Sequence, residues 1–70
     1  MLAIFKTDVQ FQKDAQVTVC SLELKLSNTK INFDLEDCDK ILRIEGVSKA
    51  KNKYVMNFMQ QLGFNCQVLE

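Results

Sequence analysis

The sequence predicts a single α+β domain whose elements run β-α-β-β-α-β. Three observations predict it. Between Lys30 and Gly46, in KINFDLEDCDKILRIEG, two short runs alternate apolar and polar residues around an acidic turn, the pattern of a β-hairpin. That hairpin lies in mid-chain, with one helix-like and one strand-like segment on each side. Finally, a 47% apolar content with two Gly and no Pro belongs to a chain that folds, and 70 residues suffice for one domain only. A domain this small buries only about 60% of its unfolded surface, so each core position counts.

Leu2 to Thr7 reads as the first strand, being short with β-branched and aromatic residues. Thr7 to Asp14 is polar apart from Val9 and Phe11 and connects to the next element. Ala15 to Leu26 carries two periods at once. Val17, Val19, Leu22, Leu24 and Leu26 fit a strand in part, while Ala15, Val19, Leu22 and Leu26 form a helical stripe. Its length of twelve residues favours the helix, because strands average about five or six. Ser27-Asn28 is the stop.

In the hairpin, Ile31, Phe33 and Leu35 are in phase, Glu36 to Asp39 turn the chain, and Ile41 to Glu45 return. Arg43 and Glu45 share a face with Ile41, which leaves Leu42 and Ile44 as the inner pair. Ser48 is the expected N-cap of the second helix, with Val47 as its hydrophobic staple. Lys51, Val55, Phe58, Met59 and Leu62 make its stripe, and Gly63 ends it. Phe64, Cys66 and Val68 alternate with Asn65 and Gln67, so the last element is a strand whose Cys66 faces the core. Two interleaved right-handed βαβ-type units of this order make a ferredoxin-like sandwich, a four-stranded antiparallel sheet with both helices on one face.

Composition excludes several function classes. Lys plus Arg equal Asp plus Glu, nine each, so nothing draws the chain to nucleic acid or anionic lipid. The cluster Asp34, Glu36, Asp37, Asp39 reads as a solvated turn, and Lys49, Lys51, Lys53 as a solvated helix start. Three cysteines at 20, 38 and 66 are too dispersed for a disulfide framework, and a reducing cytoplasm is the expected compartment. Met1 to Phe5 already reads as strand, so no signal peptide is expected, and no apolar run approaches the ~20 residues of a bilayer span.

Ile4-Phe5-Lys6-Thr7, Asp34-Leu35-Glu36, Asp39 to Gly46, and Val55-Met56 through Leu62-Gly63-Phe64 together resemble small bacterial proteins of the heavy-metal-associated domain family, the copper-chaperone-like members included. The likeness runs over nearly the whole chain and is strongest in the hairpin and in the final helix-Gly-Phe-strand. It implies the same sandwich. It also implies a Cys-x-x-Cys pair at the end of the first strand-helix loop, where two thiolates hold a soft ion such as Cu(I). Here that loop is Asp8 to Ala15. One register places Phe11 and Asp14 in the ligand slots, the other Gln12 and Ala15. Neither offers sulfur or imidazole, and the chain has no His. Carrier activity of the family's usual kind is therefore expected to be lost, and no cofactor is expected.

Other chemistries fare no better. The acidic turn lacks the Asp-x-Asp-x-Asp-Gly pattern of a calcium loop. The acyl-phosphate hydrolases of this fold need an Arg in a phosphate-cradling first loop, whereas the one Arg is Arg43, in mid-strand. Without His, no Cys-His or Ser-His pair exists, so no enzyme is expected. RNA-binding domains of this topology display aromatics on the sheet; Phe5 could supply one, but Ile41 to Glu45 has none and lacks the basic-Gly-aromatic signature.

One positive signal remains. If Ala15, Val19, Leu22 and Leu26 face the sheet, then Val17, Cys20 and Leu24 form a second, outward apolar strip on helix 1. The expected function is a non-catalytic interaction module that binds a protein partner, or a second copy, through this strip. The alternative is weak soft-metal binding, as Cu(I), through isolated cysteines such as Cys20 or through cysteines paired across a dimer.

Overall fold

Alternation in the first strand sorts the sheet into two faces. A computed structural model of the chain describes residues 2–69, and in it β1 spans Leu2–Thr7, with Ala3, Phe5 and Thr7 buried and Leu2 and Lys6 exposed. It is followed by α1 (Gln12–Lys25), β2 (Lys30–Asp34), β3 (Ile41–Glu45), a 3-10 turn at Lys49–Lys51, α2 (Asn52–Gln61) and β4 (Cys66–Val68). The strands pair antiparallel in the order β2-β3-β1-β4. This is the ferredoxin-like arrangement, with the two central strands β1 and β3 supplied by different halves of the chain.

Register carries the inner face across the sheet. Ala3 lies opposite Ile44 and Phe5 opposite Leu42, and on the other side of β3 Ile31 meets Ile44 and Phe33 meets Leu42. Ala3, Phe5, Leu42 and Ile44 join one apolar cluster with Ala15 and Leu22 of α1 and Val55 and Met59 of α2. Both helices therefore cover the same face. Leu42 and Ile44 are the inner pair, as the charges on Arg43 and Glu45 require. On the open face Ile41 is nonetheless buried, flanked in register by Lys6 and Asp34.

The helices differ in detail from the periodic reading. α1 begins at Gln12, three residues before Ala15, and its N-cap is Phe11, which supplies no side-chain hydrogen bond. Ala15, Leu22 and the capping Leu26 are buried, but Val19 is only half-buried and Thr18, 1% exposed, takes its place. Thr18 lies three residues after Ala15 and four before Leu22, so it falls at the centre of the buried stripe. Its hydroxyl donates to the Asp14 carbonyl at 2.8 Å, which satisfies the polar group locally.

In α2 the expected cap shifts as well. Ser48 precedes the 3-10 turn and makes no side-chain capping bond, while Val47 is buried. Asn52, in place of Lys51, occupies the buried position one turn before Val55. Burying Lys51 would strand its charge, and instead its ammonium lies 5.6 Å from the centre of the Tyr54 ring. Val55 and Met59 are buried and Phe58 half-buried, whereas Leu62 is exposed at the C-cap. Gly63, at φ 94°, ends the helix: its N–H donates to the Gln60 carbonyl and that of Phe64 to the Met59 carbonyl, both at 3.0 Å, a Schellman closure.

The hairpin connection is wider than Glu36 to Asp39, because β2 stops at Asp34 and Leu35 leaves the strand. The Asp34 carboxylate accepts the N–H groups of Glu36 and Asp37 at 3.2 and 3.3 Å, and Asp37 accepts that of Asp39 at 2.8 Å. The acidic run thus builds its own turn.

Candidate functional site

The β1-α1 loop is where the resemblance would place a metal, and it is tied down by oxygen and nitrogen. Thr7 Oγ1 donates to the Lys40 carbonyl at 2.6 Å and accepts the N–H of the buried Val9 at 3.3 Å. Both oxygens of Asp8 accept from Asn65, one from its backbone N–H at 2.9 Å and one from its side-chain amide at 3.0 Å. That fork fastens the loop to the α2-β4 connection. Of the degenerate ligand slots, Phe11 is 66% exposed, Gln12 is exposed and Asp14 half-buried, while Ala15 is in the core. None supplies a soft donor.

The three cysteines lie apart. Cys20 is exposed on α1, Cys38 is exposed in the hairpin turn and Cys66 is buried on β4. Desolvation, with a smaller contribution from the charge of Asp8, pushes the Cys66 thiol up to about 12. Two consequences can be measured. In the native protein a maleimide or disulfide reagent should modify Cys20 and Cys38 and spare Cys66 until the chain unfolds. Stability should also fall with pH above the ordinary thiol value. Between pH 9 and about 12 the unfolded chain has lost the Cys66 proton and the native one keeps it, so each pH unit removes up to about 1.4 kcal/mol. Below that window this group contributes no slope. Denaturant titrations of wild type and Cys66→Ala across the window check it, and equal slopes would refute it.

Asp37, Cys38 and Asp39 bring one thiol and two carboxylates within 4.8 Å of one another. Asp37 is already engaged by the Asp39 N–H, and Asp39 faces the Lys6 ammonium at 3.7 Å. Soft sulfur beside hard oxygen matches neither a copper(I) nor a calcium donor set.

Helix 1 carries two of the three most exposed large apolar side chains among the described residues. Val17 is 54% and Leu24 90% exposed, and Cys20 between them is exposed as well. Positions i, i+3 and i+7 share one side of a helix, here the side opposite Ala15 and Leu22. Beside this strip runs an open groove of about 340 Å3 between α1 and β2, lined by Gln12, Gln16, Val19, Cys20, Ile31 and Phe33 among others. Pattern reading finds the strip but not the groove. The signal for the groove is the half-burial of Val19, Ile31 and Phe33, which follows from β2 being an edge strand.

No protein-family model matches the chain, and no curated protein or solved structure matches it. Among the described residues, no helix is long and apolar enough to cross a membrane.

Proposed function

We propose that this protein is a non-catalytic protein-binding module of the bacterial cytoplasm, similar to heavy-metal-associated domains but without their thiolate pair. The observation that carries the reading is the exposed strip Val17, Cys20 and Leu24, with Leu24 90% exposed on a helix whose opposite side buries Ala15, Thr18 and Leu22. A leucine left in water forgoes about 2 kcal/mol that a partner surface would recover. The neighbouring groove continues the apolar surface toward β2. The loop that would hold metal carries Phe11, Gln12, Asp14 and Ala15 instead of sulfur, which removes the family's usual activity and leaves its scaffold.

Changing Val17 and Leu24 together to Ser should weaken association on the order of a hundredfold, because two apolar side chains no longer leave water on binding. Both side chains are exposed, so the thermal midpoint should stay within a few degrees of wild type. The measurement is affinity capture from source-cell extract and analytical ultracentrifugation of the chain alone, each with wild type and variant. Association that survives the double substitution would remove helix 1 as the binding surface.

The exposed thiols of Cys20 and Cys38 support a second reading, weak soft-metal binding. Titrating Cu(I) against a strong chelator separates the two. Stoichiometric capture that disappears in Cys20→Ser supports the metal reading, and no capture supports the binding module.

A further inference from the structure

The sheet ends in two strands without an outer neighbour among the described residues, β2 with five residues and β4 with three. Which backbone groups β2 leaves open follows from one hydrogen bond. The Leu69 N–H donates to the Ile4 carbonyl at 2.7 Å, so Ile4 turns its backbone toward β4. Hydrogen-bonded and non-hydrogen-bonded pairs alternate along an antiparallel ladder, so Ala3 and Phe5 turn theirs toward β3. Their partners Ile44 and Leu42 answer them, which leaves Ile41, Arg43 and Glu45 to bond to β2. Lys30, Asn32 and Asp34 are the residues opposite those three. Ile31 and Phe33 therefore aim their N–H and C=O groups out of the open edge.

We infer that two copies of this chain pair through this edge, β2 antiparallel to β2, about a two-fold axis at Asn32. An outward residue must meet an outward residue, and here Ile31 meets Phe33 of the second copy and Phe33 meets Ile31. The same register sets Lys30 opposite Asp34 of the second copy at both ends and Asn32 opposite itself at the centre. Charge complementarity selects this register. A shift of two residues one way leaves Lys30 facing Asn32, and a shift the other way runs out of strand into the turn at Leu35 and Glu36. Lys30 makes no ion pair among the described residues, and Asp34, whose Oδ2 faces the Arg43 guanidinium at 3.9 Å, is shared between Arg43 and the Lys30 of the second copy. The central pair is of the non-hydrogen-bonded kind, whose side chains stand closest, so the two Asn32 amides can bond to each other. On the helix side, the grooves over Ile31 and Phe33 become continuous across the axis. The interface is isologous and short, so the dimer is concentration-dependent.

This inference deepens the binding-module reading by naming a second copy as partner, and its test is separate from that of helix 1. In sedimentation across a concentration series, the wild-type mass should climb from 8.1 kDa toward twice that value. Over the same series the Ile31 and Phe33 amides should gain protection from hydrogen exchange on the order of tenfold, because only an edge pairing covers them. N32D should keep its thermal midpoint, since Asn32 lies opposite Arg43 within its own sheet. Two carboxylates then oppose at the axis, and the dimer should weaken about tenfold. K30E/E45K keeps the cross-strand pair of Lys30 and Glu45 with its signs exchanged and sets like charges across the seam, with the same expected loss. A wild type that stays at 8.1 kDa throughout overturns the inference and leaves the groove to a different protein. A dimer whose Ile31 and Phe33 amides exchange freely also overturns it, and returns self-association to helix 1.

Discussion

Replacing Phe5 by alanine should destabilise the domain by about 4 kcal/mol, the loss expected when a fully buried aromatic is deleted from a packed core. Phe5 is 0% exposed and sits on the central strand β1, with Leu42 opposite it on β3 and Val68 opposite it on β4. It belongs to the cluster that joins the sheet to Ala15 and Leu22 of α1 and to Val55 and Met59 of α2. A chain of 70 residues has a total stability of roughly 4–10 kcal/mol, so this one substitution should leave the native state marginal at 25 °C. Urea titration is the measurement, with an unchanged slope and a much lower midpoint expected. Leu24→Ala, on the exposed strip, is the control and should change stability by less than about 0.5 kcal/mol. A Phe5→Ala loss below about 1 kcal/mol would mean that the core is not organised around this strand.

Strands were the most legible part of this fold, for a physical reason. Their side chains alternate with a period of two, and two charges on one face of Ile41 to Glu45 are enough to orient the other inward. Gly63 was legible too, because a positive φ at a helix end favours a residue without Cβ. Helix boundaries were hidden. α1 starts after Phe11, which has no side-chain acceptor for the first turn, so no Ser, Thr, Asp or Asn marks the place. Thr18 and Asn52 are buried polar residues that a hydrophobic pattern counts as surface. For Thr18 the reason is visible only in three dimensions: its hydroxyl is bonded to the Asp14 carbonyl one turn back.

The candidate surface divides in the same way. Val17, Cys20 and Leu24 could be placed together from the helical period alone. Ile31, Phe33 and the groove beside them could not, since nothing in Lys30 to Asp34 says that it is an edge until the order β2-β3-β1-β4 is known. Long-range polar contacts were equally hidden. The fork from Asp8 to Asn65 joins residues 57 apart, and neither residue type predicts the other. That fork holds the β1-α1 loop against the α2-β4 connection with a carboxylate and an amide.

The two glycines provide a paired test of how closely the connections pack. Both have positive φ, 86° at Gly46 and 94° at Gly63, so alanine is strained at either by about 1 kcal/mol or somewhat more. Their surroundings differ. A Cβ at Gly63 would meet nothing within 4 Å, whereas a Cβ at Gly46 would lie 2.8 Å from the backbone oxygen of Asn28. That oxygen belongs to the α1-β2 connection, whose Asn28 is itself at φ 58°. Relief would require a backbone shift between the end of α1 and the start of β2, next to the buried Val47 and Leu26. Gly46→Ala should therefore destabilise by about 3 kcal/mol and Gly63→Ala by about 1 kcal/mol, read from urea midpoints of the two variants measured side by side. Equal losses would mean that the β3 exit and the α1-β2 connection do not touch. The larger loss at Gly46 would show that the close approach of these two loops, and not merely the conformation of a turn, requires a residue without a side chain there.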